Sequence, residues 1–170
     1  AGLVRPDSVH KRVYTDPEIF QLEMDRIYGQ AWIYVGHESQ VKNPGDYITS
    51  RIGDQDVIMT RDSDGKINVL YNRCAHKGAQ LVSQGSGNAG KFLRCPYHAW
   101  AYKLSGELLA VPLRRGMEGT SFDKSHPDFS MRPLARVDSF CGFVFASQSP
   151  EGPDLLTFLD GAASSIQNLC

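Results

Sequence analysis

The sequence predicts a mainly β fold, an antiparallel meander or sandwich with a helix before it and a helical segment after it. Three observations carry that reading. Turn signals rich in Gly, Asp, Asn and Pro recur at short intervals between residues 43 and 106, with β-branched and aromatic residues between them. Two mixed pairs, Cys74-Ala-His76 and Cys95-Pro-Tyr-His98, sit at the ends of such strands. Helical periodicity is confined to the flanks. With 170 residues, 41% hydrophobic and 22% charged, the chain is large enough for one well-cored domain with a terminal appendage.

Residues 1–15 are polar and read as extended. Asp16-Pro17-Glu18 has the form of a helix start: a capping acid, a proline in the first turn and a carboxylate near the positive end of the helix dipole. Phe20, Met24, Ile27 and Tyr28 fall on one helical face, and Gly29 marks the end. Ala31–Gly36 is a short apolar run and reads as a buried strand. Tyr47–Ile52, Asp56–Thr60 and Lys66–Tyr71 form a meander between turns. The glycine-rich run Gly85–Gly90 reads as the turn that brings the chain back, followed by a short strand at Lys91–Arg94. Ala101–Leu104 and Glu107–Val111 form a hairpin. Residues 112–130 form a long loop, of a length that often carries function. Leu134–Asp138 and Gly142–Ala146 close the strands, and from Asp154 the chain turns helical. The expected organisation is a lead-in over residues 1–40, a β domain over 41–150 and a connecting segment over 151–170.

A formal net charge of -1 provides no basic field for nucleic acid or an anionic membrane, so neither partner is expected. No apolar run approaches the roughly 20 residues that cross a bilayer. The first residues lack a signal peptide's apolar segment, so a cytoplasmic location is expected. In a reducing compartment Cys74 and Cys95, each near a histidine, suit a metal better than a disulfide. Cys141, in Phe140-Cys-Gly-Phe-Val-Phe-Ala146, reads as a small buried hydrophobe, and Cys170 has no motif around it.

Two thiols and two imidazoles suit zinc, but zinc fingers present their ligands as like pairs. Here each loop mixes the two types. That arrangement suits a binuclear centre in which Cys74 and Cys95 bind one iron, His76 and His98 the other, with sulfides bridging. Cys74-x-His76 with Cys95-x₂-His98 resembles the [2Fe–2S] motif of Rieske proteins. The flanks Asn72-Arg73-Cys74-Ala-His76-Lys-Gly-Ala79 and Arg94-Cys95-Pro-Tyr-His98-Ala-Trp100 are similar to those of the α subunit of bacterial aromatic-ring-hydroxylating dioxygenases. So are Trp32-x-Tyr34-Val-Gly-His37, Pro44-Gly-Asp46 and Gly142-Phe-Val-Phe145, and the likeness runs over about residues 16 to 160.

The resemblance implies a Rieske [2Fe–2S] domain with two cluster-binding hairpin loops. It implies a ferredoxin or reductase as electron donor and a mononuclear Fe(II) as acceptor, the latter in the catalytic domain of a neighbouring α subunit within a homotrimer or α3β3 assembly. The parent reaction would be O₂-dependent hydroxylation of an aromatic ring. The family's His-x₄-His element for the mononuclear iron does not occur, and no histidine follows His126, so the chain reads as part of a longer subunit. Amides of Lys77, Gly78 and Tyr97 are candidates to donate to the sulfides. Trp100 and Tyr97 either shield the centre, pass electrons or pack the core. Arg73 and Arg94 either tune the site or are solvated charges, and Arg114-Arg115 either meets an acidic partner or is solvated. His10, His37 and His126 read as surface or structural. The competing readings are a stand-alone Rieske ferredoxin and a structural zinc module.

Overall fold

The computed structural model describes residues 2–112, 116, 118–120 and 122–170. A hairpin of β1 (Val4–Arg5) and β2 (Ser8–Val9) leads into α1 (Arg12–Thr15) and α2 (Pro17–Glu23), which continues as a π turn at Met24–Tyr28. Strands β3 (Ile33–His37), β4 (Asp46–Ile52), β5 (Gln55–Arg61) and β6 (Ile67–Tyr71) follow. Next come β7 (Ser86–Asn88), β8 (Leu93–Arg94), β9 (Ala101–Tyr102) and β10 (Leu108–Ala110). Strands β11 (Arg136–Phe140) and β12 (Phe143–Ser147) precede α3 (Leu155–Leu159) and α4 (Gly161–Gln167). The pair Arg114-Arg115 lies outside the described residues.

The strands form antiparallel sheets with spatial orders β6-β5-β4-β7, β10-β9-β8 and β11-β12-β3. The first of these is the middle layer. Side chains alternate along a strand, so successive residues of β5 serve opposite cores. Ile58 joins Tyr47, Leu70, Leu93, Trp100 and Tyr102 on the side of the small sheet that carries the second Cys/His loop. Val57 and Met59 join Ile48, Val69, Val35 and Val144 on the other side. Burial on both faces explains why the centre of β5, Val57-Ile58-Met59, is apolar without alternation. Thr60, fully buried, donates its hydroxyl to the Leu104 carbonyl at 2.7 Å. A third cluster packs Trp32 with Leu155 and Leu159 of α3, so the final helices lie on the outer sheet.

The structure departs from the expected pattern at both ends of the meander. The opening residues form a hairpin and a short helix rather than an extended arm. Asp16 does cap α2, accepting from the Glu18 amide at 3.0 Å. The expected apolar face splits, and within the π turn the added residue turns Ile27 away from Met24 and Tyr28. Met24 and Tyr28 close on Gly53, whereas Phe20 and Ile27 are 55% and 50% exposed. The glycine run is not only a turn: Ser86–Asn88 adds a strand to β4. Gly87 is required there, since a Cβ would stand 2.6 Å from the Tyr47 hydroxyl. Cys141 lies not in a buried strand but in the two-residue turn between β11 and β12, where it is only part-buried.

Candidate metal centre

The two Cys/His loops are built as one turn used twice. In the first, which follows β6, the Cys74 amide donates to the Ala79 carbonyl at 2.8 Å and the Gly78 amide to the Cys74 carbonyl at 2.8 Å. In the second, between β8 and β9, the Cys95 amide donates to the Trp100 carbonyl at 2.8 Å and the Ala99 amide to the Cys95 carbonyl at 3.0 Å. Both closures need a left-handed residue at the fifth position, filled by Gly78 (φ 69°) and Ala99 (φ 56°). Glycine takes that conformation freely, while alanine there bears a cost of roughly 1–2 kcal/mol. The loops differ in where the histidine falls: third position in one, fourth in the other. The Gly78 amide, a candidate donor to a sulfide, is taken by the Cys74 carbonyl.

This construction sorts the four side chains by type. Cys74 and Cys95 are 3% and 2% exposed and belong to the core cluster beneath the loops. The imidazoles of His76 and His98 lie outside them, with ring centroids 4.7 Å apart at 71°. Burial, then the neighbouring Cys95 thiol, pushes the Cys74 thiol up, although the Tyr102 hydroxyl and the His76 amide oppose the shift. His76 is held below its ordinary value by burial first, then by the nearby His98 and Lys77 charges, and a neutral imidazole is the form that binds a metal. Both cysteines are free thiols. Among the described residues no three His, Cys, Asp or Glu side chains gather around a single point. A buried thiol pair beside an imidazole pair fits two irons with two protein ligands each, and fits one tetrahedral zinc poorly.

The surrounding side chains fix this geometry. Trp100, 4% exposed, stacks on His76 at 4.9 Å and 6° and meets Phe122 and Phe129 edge-on. The long loop after β10 is therefore anchored to the site through its aromatics. Tyr97 lies 3.8 Å from His98, ring to ring, and is 65% exposed. Tyr102, fully buried, accepts the Ala75 amide at 3.2 Å and lies 3.0 Å from Cys74 Sγ, to which its hydroxyl donates once that sulfur is deprotonated. Asn72 binds both backbone groups of Val82, donating from Nδ2 at 2.7 Å and accepting at Oδ1 at 3.1 Å, and so holds the first loop shut. Neither Tyr102 nor the Asn72 clamp is among the residues that the sequence singles out. The signal for Tyr102 was its inward place on a strand leaving the second loop, while the clamp left none. Arg73 covers the Tyr71 ring at 4.9 Å. His10, His37 and His126 each accept a backbone amide at Nδ1, as structural histidines do.

The profile of the Rieske [2Fe–2S] domain matches residues 31–123. The chain belongs to that family. Chlorobenzene dioxygenase subunit alpha from Cupriavidus sp. is 41% identical over 155 residues, covering 89% of this chain and 32% of the relative. The large oxygenase component of the naphthalene 1,2-dioxygenase system from Pseudomonas putida is 38% identical over 151 residues, 89% of this chain and 33% of the relative. A naphthalene 1,2-dioxygenase variant bound to phenanthrene superposes with a TM-score of 0.86 at 35% identity, over 93% of this chain and 35% of that one. A quaternary ammonium Rieske monooxygenase superposes at 0.82 with 36% identity, over 94% and 43%. The Rieske chain thus spans about a third of the length of the curated relatives it matches. Among the described residues no helix is long and apolar enough to cross a membrane.

Proposed function

We propose that this Rieske chain is the electron-relay portion of a ring-hydroxylating oxygenase α subunit, with Cys74 and Cys95 on one iron and His76 and His98 on the other. The observation that carries the reading is the sorting of these side chains into a buried thiol pair and an outward imidazole pair. When bound, a Rieske cluster supplies one-electron storage at about -150 to +300 mV, above four-cysteine plant-type ferredoxins because imidazoles are neutral. The protein's share is positional. The two closed turns hold the ligands, the core beneath the thiols excludes water, and Tyr102 donates to the Cys74 sulfur. His76 and His98 form the edge nearest solvent, where an electron is exchanged with a partner. By likeness to the α subunits, the donor is a ferredoxin or reductase and the acceptor a mononuclear iron in a neighbouring α subunit of a trimeric assembly. The expected location is the cytoplasm and the substrate class is aromatic.

Two measurements test this. Purified chain should contain iron and acid-labile sulfide in equal amounts and, once reduced, give an EPR signal of low average g. Colourless protein with stoichiometric zinc overturns the reading. Joined to the rest of its subunit and supplied with donor proteins and O₂, it should yield a hydroxylated aromatic product. A coding sequence with no catalytic domain joined to the chain would instead mark a stand-alone carrier.

A further inference from the structure

Two cysteines take no part in the metal centre, and the fold brings them together. Cys141 is the first residue of the turn between β11 and β12: Phe140 pairs with Phe143, leaving Cys141 and Gly142 at φ 50° and 80°. A two-residue hairpin turn with both residues left-handed favours Asn, Asp or Gly, so a cysteine at its first position is held there against its preference. Cys170 follows α4, 29 residues further on, and its Sγ lies 3.6 Å from the Cys141 carbonyl oxygen. Helix α4 is fixed over this turn by Ala163 and Ile166, which pack with Phe140 on the Trp32 cluster. Burial, then the nearby Cys141 side chain, raises the Cys170 thiol above its ordinary value. Cys170 is exposed and Cys141 part-buried, so reagents reach them, whereas Cys74 and Cys95 are closed off beneath their loops.

We propose that Cys141 and Cys170 form an oxidisable dithiol, a modification site that small-molecule disulfides such as oxidised glutathione convert to an intramolecular disulfide. The outer Cys170 thiolate attacks one sulfur of the oxidant, breaking its S–S bond and releasing one glutathione. Cys141 then attacks the Cys170 sulfur of the mixed disulfide and releases the second glutathione. Two protein thiols are oxidised by two electrons, the oxidant's disulfide is reduced to two thiols, and the two protons pass to them. The bridge ties the end of α4 to the β11–β12 turn, and a thiol reductant reverses it.

The test is to incubate the chain with oxidised glutathione, alkylate the remaining thiols and map the peptides by mass spectrometry. A peptide pair joining Cys141 to Cys170, lost on reduction, is the expected result. The bridged form should melt about 5 °C higher than the reduced one, because the closed loop restricts the unfolded chain. Cys141→Ser should stop at a stable glutathione adduct on Cys170. An adduct on Cys170 that persists in the unsubstituted chain overturns the proposal. So does a bridge found only between Cys74 and Cys95, or alkylation of Cys141 and Cys170 undiminished by the oxidant. None of these outcomes depends on which metal the other pair holds.

Discussion

The Tyr102 hydroxyl lies 3.0 Å from the Cys74 sulfur while accepting the Ala75 amide at 3.2 Å, so against a deprotonated, metal-binding sulfur its hydrogen is the donor. Burial, then the Cys74 thiol, holds that hydroxyl protonated far above the ordinary tyrosine range. Such a bond is stronger the more negative the sulfur, and so favours a reduced centre over an oxidised one. Tyr102→Phe should lower the reduction potential by roughly 50 mV, the one-electron equivalent of about 1 kcal/mol. Protein-film voltammetry of iron-loaded protein reads the shift. An unchanged potential at full iron content would show that the bond does not reach the centre.

Trp100 stacks flat on His76 and fills the core beneath it. Trp100→Ala should cost about 3–5 kcal/mol of stability, as large-to-small substitutions of buried aromatics do. Trp100→Phe keeps part of the stack and should cost less than half of that. Denaturant unfolding gives both values, and iron retained per chain shows whether the His76 ring still holds its place.

The shared turn predicts opposite signs at equivalent positions. Gly78→Ala should destabilise by about 1 kcal/mol. The cost is purely conformational, because nothing stands within 4 Å of the added Cβ. Ala99→Gly should stabilise, or at least cost nothing, because it relieves the same strain. Paired thermal melts check the contrast, and a loss of stability in both would mean that the loops are not equivalent.

Asn72 is 3% exposed and satisfies both backbone groups of Val82. Asn72→Leu leaves those groups buried without partners and should cost about 2–3 kcal/mol. Hydrogen exchange should then report faster opening between residues 72 and 82 with little change in β4 or β5.

Asp46 is held below its ordinary 3.8 by the Asn43 amide first and then by the Asn88 side chain. A depressed carboxyl contributes stability that is fully present above the unfolded value and is lost as pH falls through the folded one. The β4–β7 edge should therefore loosen below about pH 4. Asp46→Asn should flatten that part of the acid unfolding curve, and an identical curve would count against the role.

Much of this was legible because local chemistry and global packing agree. The β5 segment Val57-Ile58-Met59 is apolar because both its faces are covered, and the Asp16-Pro17 cap begins α2 where the sequence places it. The ligand candidates were legible from the mixing of cysteine and histidine within each loop. The features that left no such mark depend on distant partners. Gly85–Gly90 has turn composition, yet pairing with β4 makes a strand of its middle, where the Tyr47 ring leaves room for glycine alone. The π turn at Met24–Tyr28 has no compositional signature. Tyr102 stands out only once β9 is seen beneath the first loop.

Among the described residues, the sorting of thiols inward and imidazoles outward turns the imidazole pair toward solvent. A redox group reachable from one direction works like a terminal with one contact: whatever delivers an electron and whatever collects it meet the same two rings. In the assembly proposed above the acceptor would already be seated at those rings, so a donor would have to approach beside it, and entry and exit of an electron would share one small patch.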